Sequence, residues 1–228
     1  MMRKVFISTL YIVLALFLSI FILLTSTELV AFDMSFYKKE FEKYNIARNI
    51  GIVEKDLIDS TENLLDYLKN KRDNLDFKTT IKGQKEEFFS PRDKLHMIDV
   101  KYLFVLGRKI RNYIFLTMLF LIPLFMYKKV KLKISNLLLS TAAVGVLPII
   151  VLIILMNVDF NKYFTIFHEI FFNNDLWLLD PNVDRLVNIF PENFFYDIAI
   201  RIITYYLTTQ AVLLILGLAF KYKKSLQK

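Results

Sequence analysis

Four long stretches without a charged residue constrain the fold of this chain more than any other feature of its sequence. They cover residues 5–24, 112–127, 137–156 and 202–220. A helix needs about 20 apolar residues to cross the roughly 30 Å hydrocarbon core of a bilayer. The stretch at 112–127 covers only about 24 Å as a helix, so we expect the basic residues before it to reach lipid headgroups. The sequence predicts an all-α or mostly α integral membrane protein with four transmembrane helices.

The basic residues that flank these stretches predict how the chain is oriented. Ten of them have no Asp or Glu among them and lie on one side if the helices alternate: Arg3, Lys4, Lys128, Lys129, Lys131, Lys133, Lys221, Lys223, Lys224 and Lys228. Short flanks rich in Lys and Arg stay in the cytoplasm. We therefore expect a multi-pass protein of the cell membrane with both termini and the loop at 128–136 inside. The net charge of +8 follows from this orientation, and nucleic acid is not an expected partner.

The first apolar stretch could instead belong to a secretory signal peptide. It exceeds the usual apolar core of about 7–15 residues, and residues 29–32 offer no small-residue cleavage site, so we expect a retained helix.

The predicted division of the chain runs from an N-terminal flank and first helix (1–32) to an extracellular segment (33–111), a second helix (112–127), a cytoplasmic loop (128–136), a third helix (137–156), an extracellular or interfacial segment (157–197), a fourth helix (198–220) and a cytoplasmic tail (221–228).

The two outward segments are expected to form an extracellular cap, and they differ in composition. The first carries 17 basic and 14 acidic residues, which is typical of a solvated helical surface. A helix is predicted at 54–72, with an apolar stripe made of Leu57, Ile58, Leu64, Leu65 and Leu68. Residues 78–89 fit either a loop or a hairpin. The second segment carries 2 basic and 7 acidic residues and a high density of aromatic side chains, which is typical of a membrane interface.

A helix start is predicted just before the first of the two histidines. Ser90 can accept a hydrogen bond from the amide of Asp93, and Pro91 suits the first helical position. On this helix, Asp99 lies three residues after His96, so its carboxylate can reach the imidazole and fix the tautomer.

The second histidine, His168, lies in an aromatic helical segment. The chain contains no Cys and no other His, which excludes disulfides, thiolate metal sites and a Cys nucleophile, and we expect neither a metal nor a cofactor. Taken alone, a histidine is more often structural than catalytic. Here both histidines lie in outward segments that are expected at the same leaflet. Two imidazoles that titrate near pH 7 at one membrane surface indicate acid–base chemistry.

A charged pair lies at the outer end of the last apolar stretch. Asp197 and Arg201 are four residues apart and therefore share a helix face. A charged Arg inside a membrane helix requires an anionic partner. Asp197 would be the structural partner, and a developing oxyanion or a lipid headgroup would be the functional one.

Two histidine-centred motifs occur in order, FSPRDKLHMIDVK at 89–101 and FTIFHEIFF at 164–172, followed by WLLD at 177–180 and FPE at 190–192. Together with the four-helix layout, these motifs resemble the lipoprotein intramolecular transacylase (Lit) family of Gram-positive bacteria. The resemblance implies an acyltransferase that moves the sn-2 acyl chain of a diacylglyceryl-modified N-terminal cysteine onto the α-amino group of that cysteine. The product is a lyso-form lipoprotein.

The resemblance also implies that His96 and His168 are the catalytic pair. Six further residues are candidates for supporting roles from their chemistry and position: Asp99, Glu169, Asp180, Arg185, Asp197 and Arg201. The implied partners are diacylglyceryl-modified lipoproteins and membrane lipid.

The implied reaction suits a chain that lacks the usual nucleophile motifs. The substrate supplies both the amine and the ester, so the protein has only to bring them together and move protons. Conversion of an ester into an amide is downhill and requires no ATP. Two alternatives remain: another hydrolase or acyltransferase at the outer leaflet, and a membrane protein that binds a partner without catalysis.

Overall fold

The computed structural model describes residues 2–127 and 133–225, and this part of the chain is mostly helical. Its elements are α1 (Met2–Ala31), α2 (Met34–Lys43), α3 (Ile46–Ile50), α4 (Glu54–Leu68), β1 (Lys78–Ile81), β2 (Gln84–Glu87), α5 (Pro91–Tyr127), α6 (Ile134–Val158), α7 (Phe160–Phe171), α8 (Leu186–Ile189) and α9 (Glu192–Ser225). Most of the predicted cytoplasmic loop and the end of the predicted tail, with Lys128, Lys129, Lys131 and Lys228, lie outside the described residues.

Within the described residues, three helices are long and apolar enough to cross a membrane: Ser8–Ala31, Ile134–Val158 and Glu192–Ser225. They correspond to three of the four predicted spans. The stretch at 112–127 forms the second part of α5, whose first part carries charged residues. Since this stretch is short for a bilayer, the fourth span stays a prediction.

The chain divides into two compact units. The first unit comprises Met1–Leu29, Arg108–Val158 and Ile200–Lys228, and the second comprises Val30–Gly107 and Asp159–Ala199. The first therefore holds the apolar spans, and the second holds most of both predicted outward segments.

In the first unit, a polar cluster surrounds Gly145 on α6. The hydroxyl groups of Ser19 on α1 and Tyr206 on α9 are 2.5 Å apart in a hydrogen bond, and both side chains are buried. The amide nitrogen and oxygen of Gln210 are buried, and neither has a hydrogen-bond partner among the described residues. Because Gly145 has no Cβ, α1 and α9 can bring these polar groups against its backbone.

The basic residues before the second apolar stretch also have a protein partner. Glu28 on α1 forms ion pairs with Arg111 and, at 3.9 Å, with Arg108. The sequence predicted that these basic side chains would reach lipid headgroups. In the structure they instead pair with a carboxylate on α1.

The second unit has an apolar core built from α2, α4, the hairpin, the start of α5, α8 and the start of α9. Four members of the predicted stripe on α4 are buried in it, namely Leu57, Leu64, Leu65 and Leu68, while Ile58 is half-buried. The stripe is therefore confirmed, although the helix ends at Leu68 instead of residue 72.

Residues 78–87 form an antiparallel hairpin, which decides between the two structures that the sequence left open. Its two-residue turn has Lys82 at φ 50° and Gly83 at φ 82°. Positive φ at both turn residues matches the right-handed twist of paired strands. The hairpin leads directly into Phe88 and Phe89, which are both buried, and these anchor the approach to α5.

Candidate active site

The two histidines come together in the second unit. His96 lies on α5 and His168 on α7, and their ring centroids are 6.2 Å apart with an angle of 35° between the ring planes. Only 7% of His96 is exposed, and His168 is half-buried. The structure thus places the only two imidazoles of the chain side by side.

Aromatic rings enclose this pair. Phe172 lies 5.3 Å from the His96 ring and 5.6 Å from the His168 ring. Trp177 stacks on His168 at 4.9 Å, and the Phe164 ring meets His168 edge-on at 4.5 Å. These apolar surroundings exclude water from much of the imidazole surface and favour the uncharged rings.

One hydrogen bond fixes the tautomer of His168. Its Nδ1 lies 2.7 Å from the carbonyl oxygen of Phe164, one helical turn earlier. A carbonyl oxygen can only accept, so Nδ1 carries the proton and donates it. The neutral ring then has an unprotonated Nε2, which is the nitrogen able to act as a base.

Burial lowers the pKa of both imidazoles. The pKa of His96 falls from 6.5 to about 4, first because burial disfavours the charged ring and then because His168 and Arg92 repel a proton, while Asp99 opposes the shift. The pKa of His168 is also lowered by burial, and the bond to the Phe164 carbonyl opposes this shift. Both rings are therefore neutral near pH 7.

The start of α5, one turn before His96, is tied to the segment before α8. Ser90 Oγ accepts from the Asp93 amide at 2.9 Å, which confirms the predicted cap. Asp93 is fully buried and accepts from the amides of Arg185 at 3.0 Å and Leu186 at 3.3 Å. Burial raises the pKa of Asp93, and the three backbone donors, Ser90 among them, oppose this.

Asp184 completes this junction. One of its oxygens accepts from Ser90 Oγ at 2.5 Å, and the other accepts from the amide of Asp180 at 2.8 Å. Two buried carboxylates, Asp93 and Asp184, therefore hold the His96 helix against the loop that follows Trp177. Sequence reasoning missed both as site residues.

Arg92 is a third residue near the site that sequence reasoning missed. Its guanidinium donates to the carbonyls of Asp175 and, at 3.0 Å, Leu178. These two residues flank Trp177, so the side chain of Arg92 holds the loop that carries the stacked indole. Its position within the 89–101 motif, four residues before His96, was the available signal.

The predicted supporting residues are only partly brought to the pair. Asp99 accepts from Asn174 at 2.9 Å, and His96 Nδ1 has no hydrogen-bond partner among the described residues. The expected bond from Asp99 to the imidazole Nδ1 is therefore not made, and the carboxylate accepts from Asn174. Glu169 is exposed.

Four other predicted residues have partners outside the pair. Asp180 accepts from Asn182 in a turn, and Arg185 bonds the Phe88 carbonyl at 3.1 Å and Glu86 at 2.7 Å. Asp197 accepts from Tyr44 at 2.5 Å and also bonds Lys43, two residues at the C-terminal end of α2 and just beyond it. The guanidinium carbon of Arg201 lies 5.9 Å from the ring centre of Tyr205.

No group of three or more His, Asp or Glu side chains suited to a metal ion occurs in the part of the chain that the structure describes. The chemistry that the site itself supports is proton transfer. It presents one imidazole with a fixed basic nitrogen beside a second neutral imidazole, in surroundings that strengthen electrostatic interactions.

The stacking of Trp177 on His168 gives a direct measure of the imidazole. Trp177 is the only tryptophan, and a protonated imidazole quenches indole emission. We expect the fluorescence of the purified protein to fall with decreasing pH, with a midpoint below the ordinary histidine value of 6.5. His168→Gln should remove this step, whereas a midpoint at or above 6.5 would contradict the neutral pair.

Comparisons with known proteins give both a family match and structural matches for this chain. The sequence matches the family model described as lipoprotein intramolecular transacylase Lit over residues 12–195. None of the curated proteins searched matches the chain in sequence.

The fold is similar to in meso structures of the membrane-integral lipoprotein intramolecular transacylase Lit from Bacillus cereus. One gives a TM-score of 0.79 at 20% identity and covers 96% of this chain and 97% of that chain. A variant with a histidine replaced by arginine gives a TM-score of 0.72 at 20% identity, with 99% and 98% covered. A variant in which a histidine is replaced by alanine gives a TM-score of 0.71 at 20% identity and covers 98% of this chain and 99% of that chain.

Proposed function

Because the chain belongs to the lipoprotein intramolecular transacylase (Lit) family, we propose that it moves the sn-2 acyl chain of a diacylglyceryl-modified cysteine onto the α-amino group of the same cysteine. The substrate is a bacterial lipoprotein, and the product is its lyso form. The observation that carries this proposal is the pair of neutral imidazoles 6.2 Å apart in an aromatic enclosure. Membership confirms the resemblance to this family.

The reaction needs orientation more than a protein nucleophile. The amine and the ester carbonyl belong to one molecule, so a bound conformation that brings them within about 3–3.5 Å replaces a collision between two reactants. This agrees with a chain that has no Cys.

His168 is the base in this proposal. The neutral amine attacks the ester carbonyl carbon, a C–N bond forms, and His168 Nε2 takes a proton from the nitrogen. The C–O bond to the glyceryl oxygen then breaks, and the proton passes from His168 to that oxygen. His96 donates a ring N–H to the carbonyl oxygen while it carries negative charge. The imidazoles end unchanged, and each proton transfer typically contributes about 10²–10⁴ in rate.

The supporting residues divide by their contacts. We assign positioning roles to Arg92, Asp93 and Asp184, with Asp180 and Arg185 in the same junction, because their bonds hold α5 and the Trp177 loop. Asp99 contributes its negative charge near His96. Asp197 is the structural partner of Lys43. Roles for Glu169 and Arg201 in catalysis stay predictions.

Mass spectrometry of lipoprotein N-termini tests the activity. Cells that express the chain should contain lyso-form lipoprotein with an N-acyl cysteine and a free sn-2 hydroxyl, and cells without it should not. Release of free fatty acid without N-acylation would indicate a hydrolase instead. Unchanged lipoproteins in cells that contain this chain in folded form would favour the alternative of a membrane protein that binds a partner without catalysis.

The proposed topology places both histidines at the outer leaflet, with both termini in the cytoplasm and the segments at 33–111 and 157–197 forming the cap. The chain has no Cys, so a single introduced thiol reports its own location. In intact cells, Glu62→Cys should react with an impermeant thiol reagent, and Lys224→Cys should react only after the membrane is permeabilised. Both positions are exposed. The opposite labelling pattern would contradict the proposal, since mature lipoproteins display their N-termini outside.

A further inference from the structure

A groove of about 630 Å³ opens in the second unit, and neither histidine lines it. Its walls are α3, the hairpin and the segment 181–193. Phe172 and Trp177, which enclose the imidazoles, are also absent from its lining. A volume of this size is typical of a ligand site, and proton transfer at the pair does not use it.

Asparagines give the groove its chemical character, and four of them line it: Asn49, Asn182, Asn188 and Asn193. Three donate a side-chain N–H to the protein's own oxygens at 2.7–3.0 Å, Asn49 to Tyr44, Asn182 to Asp180 and Asn188 to Pro181. These bonds orient the carboxamides and use at least one of the two N–H donors of each. Their oxygens are suited to accept from the backbone N–H groups of a peptide, whatever its side chains.

The charges of the groove are balanced. Lys82 and Arg185 are basic, and Glu86 and Asp184 are acidic, with Arg185 and Glu86 in an ion pair at 2.7 Å. A phosphate or a nucleic acid would require a basic surplus. A balanced, amide-rich surface fits a polypeptide of variable sequence.

The groove also shares residues with the junction at the start of α5. Asp184 accepts from Ser90 Oγ, and the amide of Arg185 donates to Asp93. His96 follows Asp93 by three residues, a rise of about 4.5 Å along the helix. An extended chain covers about 3.3 Å per residue, so each residue of a bound peptide covers a distance comparable with this rise.

We propose that this groove binds the polypeptide that follows the lipid-modified cysteine of the substrate, through backbone hydrogen bonds that are independent of sequence. The inference rests on the proposed function, because a lipoprotein carries a peptide chain beyond its acylated residue. The groove would hold that chain while the acylated cysteine lies beside the imidazoles. Lipoproteins with different sequences could then share one site.

Two substrates of different length test the proposal. One lipopeptide carries about two residues after the modified cysteine, and the other carries about ten. Val183 lines the groove and is 68% exposed, so Val183→Glu should introduce a charge there without disturbing the core. We expect kcat/KM to fall about tenfold for the long substrate, the equivalent of about 1.4 kcal/mol, and to stay within about twofold for the short one.

Val53 provides a matched control, since it is 65% exposed and does not line the groove. Val53→Glu should leave both substrates unaffected. Equal effects of Val183→Glu on both substrates, or no effect on either, would overturn the groove proposal while the transacylase activity stands. Failure of the wild-type protein to convert either substrate would instead overturn the proposed function.

A binding measurement separates affinity from turnover. Val183→Cys introduces the single thiol of the chain, and its alkylation rate reports occupancy of the groove. The long lipopeptide should slow alkylation and the short one should not, with Val53→Cys as the control. Equal protection by both lengths would show that the peptide lies elsewhere.

Discussion

Replacing either histidine with alanine is expected to abolish lyso-form production, with a loss of about 10²–10⁴ or more in rate. The double variant His96→Ala with His168→Ala should be scarcely worse than either single variant. Under the proposed mechanism His168 moves the proton while His96 stabilises the negative charge that develops in the same step, so removal of one leaves the other without its function. Independent roles would give losses that multiply. Purified variants assayed on a lipopeptide by mass spectrometry provide the measurement.

His168→Gln is the matched control, because glutamine retains a polar side chain of similar length but cannot act as a base. It should unfold at close to the wild-type temperature and remain inactive, which separates catalysis from packing. Normal lyso-lipoprotein from both alanine variants at wild-type expression would rule out the histidine mechanism.

Gly145→Ala is expected to destabilise the first unit by about 1–3 kcal/mol, the usual cost of overpacking a core. An added Cβ would lie 2.3 Å from the Tyr206 hydroxyl, 2.6 Å from Gln210 Nε2 and 2.7 Å from Ser19 Oγ. Tyr206 and Gln210 are fully buried, so they cannot move aside without repacking. Their displacement would also break the 2.5 Å hydrogen bond between Ser19 and Tyr206. Thermal unfolding in detergent measures the change.

Gly217→Ala is the control, because the same Cβ there would meet only side-chain atoms of Leu139 and Leu138 at 3.0–3.3 Å. Leucine rotamers can adjust, so the loss should be clearly smaller. Equal unfolding temperatures for the two variants would show that the polar cluster around Gly145 is loosely packed.

Local patterns explain what the sequence predicted well. The leucine stripe of α4 and the cap at Ser90 depend on residues within a few positions of one another, and both are confirmed. The two histidines could be proposed as a pair because the chain contains no others. The hairpin was harder, since its turn is Lys82-Gly83 and lacks the Asn or Asp that usually precedes glycine in such turns.

Long-range contacts explain what the sequence could not predict. Arg92 bonds carbonyls more than 80 residues away, and a backbone carbonyl has no sequence signature. Asp197 bonds Lys43 and Tyr44, more than 150 residues earlier in the chain, and its spacing from neighbouring residues gives no signal of these partners. Asp99 was paired with His96 by its spacing, whereas the fold brings in Asn174 from another segment.

Because burial lowers the pKa of both imidazoles, we expect the substrate amine to determine how the rate falls as the pH is lowered. The α-amino group of a free N-terminus has an ordinary pKa of about 7.7–8.0, and it attacks only when neutral. As the pH falls, this amine is protonated before either imidazole, because burial lowers the pKa of His168 below 6.5 and that of His96 to about 4. Under the proposed mechanism, activity should decline below pH 8 even though both imidazoles are still neutral. Substrates with a less basic amine should therefore extend the active range toward acid.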